Sequence, residues 1–164
     1  MLYSPYDWNE AIRHRSDYIE ERLAEGSPVL ALSCAEGVLL LTLRGTQRKL
    51  FEIYDRLAFA ALGQQADIEA VRLSVIDFSH QEGFTRSPDD VTVGRVVAAV
   101  SPALKKAFGD PLTAPLVLRA LFAEVGRRPD ADALYVLGYD GEFRMSRGFA
   151  VVAGSPQAEE RMRA

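Results

Sequence analysis

The sequence has few of the residues that build metal sites, disulfide frameworks or membrane spans. One cysteine, Cys34, and two histidines, His14 and His80, are present among 164 residues. A single cysteine cannot form an internal disulfide, and histidines without a neighbouring ligand do not indicate a metal site. Apolar runs such as residues 38–41 are far shorter than the roughly 20 residues of a membrane-spanning helix. We therefore expect no metal, no cofactor and no membrane, in a protein of the reducing cytoplasm.

Concentrated positive charge and the common catalytic motifs are also absent from the sequence. The chain has 19 Lys and Arg residues against 23 Asp and Glu residues, which gives a formal net charge of −4. No basic run is longer than two residues, whereas nucleic acids and anionic membranes select dense clusters of Lys and Arg. No G-x-S-x-G, P-loop or G-x-G-x-x-G pattern occurs. The residues themselves therefore predict neither a nucleic-acid partner nor a particular enzyme reaction.

What the sequence does contain is the composition of a globular core. Hydrophobic residues make up 48 % of the chain and charged residues 26 %, which is typical of one soluble domain. We therefore predict a single domain over residues 1–164. Its N-terminal helix is expected within residues 1–26 and its core within residues 27–164.

The first helix begins with a capping signature. Ser4 suits the N-cap, Pro5 suits the first helical position, and Asp7 can accept from a free backbone amide of the first turn. Gly26 is a suitable terminator. A helix of about 20 residues with one apolar face needs a surface to cover, either in this domain or in a neighbouring subunit. Its apolar positions are Trp8, Ala11, Ile12, Ile19 and Leu23.

The remaining pattern predicts strands on either side of a pair of helices. Pro102 is expected to kink the second of those helices, or to restart it with Ser101 as its cap. The order is a helix, four strands, two helices, three strands and the start of a helix, which is typical of α+β architecture. The predicted strands are residues 28–34, 38–43, the two arms of a hairpin at 47–63, 116–125, 133–139 and 143–152.

The hairpin at residues 47–63 contains a lysine in an unusual position, Lys49. In an alternating strand it lies on the same face as the apolar residues Phe51 and Ile53, so its stem is expected to be buried. One interpretation is a lysine that snorkels at a strand end, and the other is an ammonium directed at a ligand. The pattern alone favours the snorkelling lysine. The opposite face is formed by Leu50, Glu52 and Tyr54.

Several short segments carry a resemblance that extends over almost the whole chain. They are residues 13–17, 36–39, 47–50, 54–63, 89–95, 139–141 and 149–154. In order and spacing they resemble proteasome subunits, and most closely the α-type subunit of the bacterial (actinobacterial-type) core particle. The resemblance implies the αββα sandwich of N-terminal-nucleophile hydrolases with an extra N-terminal helix. It also implies further C-terminal helices and strands, which are expected to be missing from these 164 residues.

The resemblance raises the question of catalysis, because active members of this family use an N-terminal threonine exposed by cleavage after a glycine. Ser27, which follows Gly26, matches that position. Three features oppose activity: Pro28 follows the serine, Leu43 stands where the family has an aspartate, and the segment to be discarded is a well-capped helix. We therefore predict that the chain is not an enzyme. The alternative is an active hydrolase produced by cleavage before Ser27.

A retained N-terminal helix is instead a feature of α-type subunits. The resemblance then implies a homo-oligomeric, heptameric outer ring that stacks on proteolytic β-type subunits. Such a ring would gate the access of unfolded protein substrates. The candidate gate residues are Tyr3 and Tyr6, and an ordinary frayed terminus is the alternative interpretation.

Lys49 also acquires a role from the resemblance. In α-type subunits the matching lysine receives the C-terminal carboxylate of an AAA ATPase activator, in a pocket between neighbouring subunits. Gly26 and Gly63 match the walls of that pocket, and helix capping and turn geometry are the alternative explanation of both glycines. For the whole chain, the remaining alternative is a stand-alone α+β regulatory or ligand-binding domain.

Overall fold

The computed structural model describes residues 4–164, which form four α-helices and eight β-strands in two antiparallel sheets. This mixture confirms the predicted α+β class. Within this range, no helix has the length and apolar character required to cross a membrane. The helices are α1 (Pro5–Leu23), α2 (Gln65–Thr85), α3 (Val93–Gly109) and α4 (Pro156–Arg163). The strands are β1 (Val29–Cys34), β2 (Gly37–Thr42), β3 (Leu50–Tyr54), β4 (Leu57–Gly63), β5 (Leu118–Glu124), β6 (Ala133–Leu137), β7 (Phe143–Ser146) and β8 (Phe149–Val152).

The larger sheet has the order β3-β4-β5-β6-β7, and α2 and α3 cover one of its faces. Successive side chains of β4 and β5 point to opposite faces of this sheet, so each strand contributes to a core on both sides. Phe59 and Phe122 pack against the helices, while Leu62 and Leu121 point to the opposite face. Because both faces of these strands are covered, their sequences are nearly continuous apolar runs. The helices contribute Ile68, Val71, Val75, Val93, Val96, Val97, Val100 and Leu104 to this helix-side core.

The smaller sheet has the order β2-β1-β8 and packs on the other face of the larger sheet. The last turns of α1 close one side of the inter-sheet core, and α4 packs against β8. The described layers are therefore helices, sheet and sheet, in the order that the αββα sandwich requires. The inter-sheet core includes Ile19, Leu23, Val29, Ala31, Leu121, Ala150 and Val152.

The predicted strand at residues 143–152 is wrong in one respect, because the structure divides it between the two sheets. β7 pairs with β6 in the larger sheet, whereas β8 pairs with β1 in the smaller one. The chain changes sheets at Gly148, whose φ of +76° lies in the left-handed region that favours glycine. Apolar patterning indicates which residues face a core, and it does not indicate which sheet a strand joins.

The region around Tyr54 also differs from the prediction. A register shift between Glu52 and Tyr54 places the tyrosine in the helix-side core instead of on the face of Leu50. The Tyr54 ring lies against Gly83, where a Cβ would be 2.8 Å from Tyr54 Cζ and closer still to the hydroxyl oxygen. Gly83 therefore makes space for the ring within α2. The helix continues past Gly83 to Thr85.

α3 passes through Pro102 without ending. The predicted restart with Ser101 as cap is wrong, because one helix runs from Val93 to Gly109. The Ser101 hydroxyl donates instead to the carbonyl oxygen of Gly141 at 2.6 Å. A proline removes one backbone hydrogen bond from a helix interior, and packing of the apolar stripe of α3 against the sheet stabilises the helix across that point.

The outer face of the smaller sheet is an apolar surface in the described part of the chain. Leu39 and Leu41 of β2 are 51 % and 54 % exposed on this face. Contiguous exposed apolar surface is uncommon on soluble monomers, so this face is suited to burial under further protein. On this face Leu41 pairs with Leu30, and Leu32 pairs with both Leu39 and Phe149; Val151, the β8 partner of Leu30, is buried.

Candidate functional site

Lys49 immediately precedes β3, and its side chain reaches the link between α1 and β1. The Nζ atom donates to the carbonyl oxygen of Ser27 at 2.6 Å. The side chain is half-buried, and this burial lowers the pKa of the Lys49 ammonium. The ion pairs among residues 4–164 do not include Lys49. An ammonium has three donors, so one backbone acceptor leaves donors that can bind an incoming carboxylate.

Gly26 and Gly63, the two predicted pocket walls, are connected to Lys49 by a short series of contacts. Gly26 adjoins the residue whose carbonyl accepts from Lys49. Its own N–H donates to the Leu23 carbonyl at the end of α1, at 2.9 Å. A Cβ at Gly26 would lie 3.0 Å from Cδ1 of Leu62, the residue before Gly63. The structure therefore brings the three predicted docking residues to the same end of the two sheets.

Gly63 also has a structural reason to be glycine. Its φ is +135°, in the region that residues with a Cβ rarely adopt. A Cβ there would lie 2.7 Å from Cα of Leu118 and closer still to the carbonyl oxygen of Val117. The Gln64 amide donates to the same Val117 carbonyl at 2.8 Å. Backbone geometry, the alternative explanation of this glycine, is sufficient to require it.

Of the two predicted gate residues, Tyr3 lies outside the described residues. Tyr6 is in the first turn of α1, and its side chain is 88 % exposed. The capping signature that precedes it is confirmed. The Asp7 amide donates to the Ser4 hydroxyl at 3.3 Å, and the Ser4 amide donates to the Asp7 carboxylate at 3.1 Å. A gating role for Tyr3 and Tyr6 stays a prediction.

In the described chain Ser27 is an internal residue and not a free N-terminal nucleophile. Its nitrogen is an amide bonded to Gly26, which cannot serve as a general base. The atom of Ser27 that contacts Lys49 is the carbonyl oxygen. Leu43, where an aspartate would be needed, follows β2 and is 74 % exposed. The preceding helix α1 is part of the folded structure, because its last turns contribute fully buried side chains to the inter-sheet core.

Two anchors hold α1 on the rest of the protein, and the sequence pattern did not predict them. The first anchor is Arg15. Its guanidinium donates to the carbonyl oxygens of Ala107 and Phe108, both at 2.8 Å, at the C-terminal end of α3. It also donates to the Thr113 carbonyl at 2.6 Å. Arg15 thereby satisfies carbonyls that the end of a helix leaves free, at the terminus where the helix dipole favours a cation.

The second anchor is a hydrogen-bonded cluster around Glu20. The Tyr139 hydroxyl lies 2.9 Å from Ser16 Oγ and donates to the Glu20 carboxylate at 2.8 Å. Arg119 forms an ion pair with the same carboxylate and donates to the Ala153 carbonyl at 3.0 Å. Burial raises the pKa of Tyr139 above its ordinary value, which strengthens the preference for the protonated hydroxyl that donates to Glu20.

The sequence contained a signal for this cluster. Arg119 is the one charged residue within the buried run 118–123 of β5. A charge in such a run requires a buried partner, which alternation by itself does not identify. Segments 13–17 and 139–141, which contributed to the family resemblance, contain Arg15, Ser16 and Tyr139 of the two anchors.

Comparison with known proteins gives relatives that share one name. No protein-family model matches the chain. It is 37 % identical to the proteasome subunit alpha of Actinosynnema mirum over 153 residues, which are 92 % of this chain and 57 % of the relative. It is 32 % identical to that of Jonesia denitrificans over 142 residues, 85 % of this chain and 60 % of the relative. For Kineococcus radiotolerans the identity is 31 % over 148 residues, 89 % of this chain and 62 % of the relative. The chain therefore spans less than two thirds of the length of these relatives.

Proposed function

Because this chain is related to the α-type proteasome subunits of actinobacteria, as its short segments predicted, we propose that it is a non-catalytic subunit of a proteasome core particle. In this proposal, copies of the chain form a heptameric outer ring in the cytoplasm. The ring stacks on proteolytic β-type subunits, gates the access of unfolded protein substrates and docks an AAA ATPase activator. The observation that carries the proposal is α1, a capped and anchored helix that remains in front of Ser27.

The non-catalytic role can be tested on the Gly26–Ser27 bond. Because α1 is held by Arg15, by Glu20 and by its buried last turns, we expect the bond to stay intact in the assembled protein. Peptide mapping of the purified assembly by mass spectrometry should recover peptides that span the bond. Native mass spectrometry of the same sample should give a ring of seven copies. A chain that begins at Ser27 would contradict the non-catalytic role, and a monomer or dimer with no affinity for a β-type subunit would contradict the ring.

The docking role rests on the chemistry of Lys49. A half-buried ammonium that already donates to Ser27 can donate a second, charge-assisted hydrogen bond to a terminal carboxylate. A hydrogen bond of this type contributes about 1.5–3 kcal/mol, which is too little for stable docking at one site. Sites repeated around a ring increase the overall affinity through effective concentration. Gly26 and Gly63 are the proposed walls. A Cβ at either glycine would meet atoms of this chain, Leu62 at Gly26 and the Val117–Leu118 backbone at Gly63, so their proposed contribution is the backbone path that forms the pocket.

Replacing Lys49 by alanine is expected to weaken the binding of a short peptide with a free C-terminal carboxylate about 10- to 100-fold, and to leave ring assembly intact. Fluorescence anisotropy with the labelled peptide measures the affinity, and the same peptide with an amidated C-terminus provides the ligand control. Lys105→Ala is the matched protein control, because Lys105 is exposed on α3. Unchanged peptide affinity and unchanged ATPase-stimulated degradation in Lys49→Ala would remove this residue from the docking site.

The same assay has an expected pH dependence. Burial lowers the pKa of Lys49, so its charge is complete below that lowered value and is lost as the pH rises through it. Carboxylate binding should therefore weaken as the pH rises through this lowered pKa of Lys49 and its ammonium loses the charge.

A further inference from the structure

We propose that Arg15, Glu20 and Tyr139 are positioning residues for Lys49: by holding α1 in place they fix the Ser27 carbonyl, and that carbonyl holds the ammonium. The importance of this arrangement for docking rests on the proposed function. The positioning itself is a property of the folded chain and can be measured without any activator.

The first step is the attachment of α1 at its middle. The Arg15 guanidinium donates three hydrogen bonds, two to backbone carbonyls at the end of α3 and one to a carbonyl in the loop that follows α3. Glu20, five residues further along, accepts from Tyr139 and pairs with Arg119. The two anchors attach the helix to elements that are more than 90 residues away in sequence. They therefore oppose both rotation of α1 and its translation along its axis.

The second step is the packing of the C-terminal end of α1 against Gly154. The carbonyl oxygen of Leu23 lies so close to Gly154 that a Cβ at residue 154 would overlap it, and the same Cβ would lie 3.0 Å from Cα of Ala24. Arg119 stabilises this packing, because its guanidinium pairs with Glu20 of α1 and also donates to the carbonyl oxygen of Ala153. The end of α1 therefore packs directly against the turn between β8 and α4. The helix cannot move closer to that turn without a clash.

The third step is the short link from the helix to the lysine. The Gly26 amide donates to the Leu23 carbonyl at 2.9 Å, and Gly26 packs on Leu62. The next residue is Ser27, whose carbonyl accepts from Lys49 at 2.6 Å. With only three residues between the end of α1 and Ser27, a displacement of the helix changes the position of that carbonyl.

The inference also predicts reciprocity between the two sites. If the position of α1 affects the ammonium of Lys49, then a carboxylate bound to that ammonium must affect α1 by the same free energy. Loss of an anchor is therefore expected to weaken carboxylate binding even though no anchor residue is part of the pocket.

The test uses the exchange of lysine ammonium protons with water, followed by nitrogen NMR on protein labelled at lysine. The chain has three lysines, and the exposed Lys105 and Lys106 provide internal standards. In the wild-type chain, the ammonium of Lys49 should exchange more slowly than the other two. Tyr139→Phe retains the ring and removes the hydroxyl that joins Ser16 and Glu20. It should accelerate exchange at Lys49 about five-fold and leave the standards unchanged.

A second variant and a control separate positioning from loss of stability. Arg15→Gln weakens the other anchor and should have the same effect on Lys49. Val96→Ala opens a cavity in the helix-side core, on the opposite face of the larger sheet, and should leave exchange at Lys49 as it is in the wild type. Exchange at Lys49 that is unchanged in both anchor variants would overturn the inference, and so would equal acceleration in Val96→Ala.

Failure of the proposed function gives a different result. If the wild-type chain does not bind a carboxylate peptide, while Tyr139→Phe and Arg15→Gln accelerate exchange at Lys49, the docking proposal is wrong and the positioning inference stands. If the peptide binds through Lys49 and both anchor variants retain wild-type exchange and affinity, the docking proposal stands and the inference is wrong.

Discussion

Replacing Gly63 by alanine is expected to lower the free energy of unfolding by about 3–5 kcal/mol, or to prevent folding altogether. Two costs combine at this position. The φ of +135° is strained for any residue with a Cβ, and the added atom would lie 2.7 Å from Cα of Leu118 and closer to the Val117 carbonyl. Relief of that clash requires β4 to separate from the start of β5, which are paired through the Gly63–Leu118 register. Urea denaturation followed by circular dichroism measures the change.

Gly37→Ala is the matched control for this prediction. Its φ is +139°, close to that of Gly63, but a Cβ there would have no atom within 4 Å. It should therefore cost only the backbone strain, about 1–3 kcal/mol. Equal losses in the two variants would show that crowding by Val117 and Leu118 contributes nothing. The comparison also bears on the docking pocket, because weaker peptide binding by Gly63→Ala can be attributed to a pocket wall only after correction for unfolded protein.

Replacing Phe59 by alanine is expected to cost about 3–5 kcal/mol of stability. The ring is fully buried on the helix-covered face of the larger sheet, and its centroid lies 5.1 Å from that of Phe122 and 6.3 Å from that of Phe51. Truncation removes this apolar contact area and leaves a cavity between β4 and the two helices that cover it.

Phe84→Ala makes the same chemical change at a site that is 92 % exposed near the end of α2. We expect it to change the free energy of unfolding by less than about 0.5 kcal/mol. The difference between the two variants in urea denaturation measures the contribution of burial. A loss in Phe84→Ala as large as that in Phe59→Ala would indicate that residue 84 is buried in solution, for instance in an assembly.

Much of the fold could be predicted because it is encoded by short-range periodicity. The capping residues Ser4 and Asp7 predicted the start of α1, and the pattern after the hairpin at 47–63 predicted a pair of helices, which are α2 and α3. The α+β class and the relationship to α-type proteasome subunits followed from element order and short segments, and both are confirmed.

The errors occurred where a long-range partner determines the local structure. The change of sheet at Gly148 and the register shift before Tyr54 each depend on an element distant in sequence. The alternation of apolar and polar residues indicates that a residue faces a core. It does not indicate which strand or helix forms the other side of that core.

The candidate site shows the same division. The sequence by itself predicted a lysine, Lys49, in an apolar alternating segment and a capped helix in front of Ser27. Only the tertiary structure decided that the ammonium binds the Ser27 carbonyl, and that Arg15, Glu20 and Tyr139 hold the helix in front of it. The physical reason is the separation along the chain between the residues that interact. Periodicity and capping depend on neighbours within a few residues, whereas these hydrogen bonds join residues that folding alone brings together.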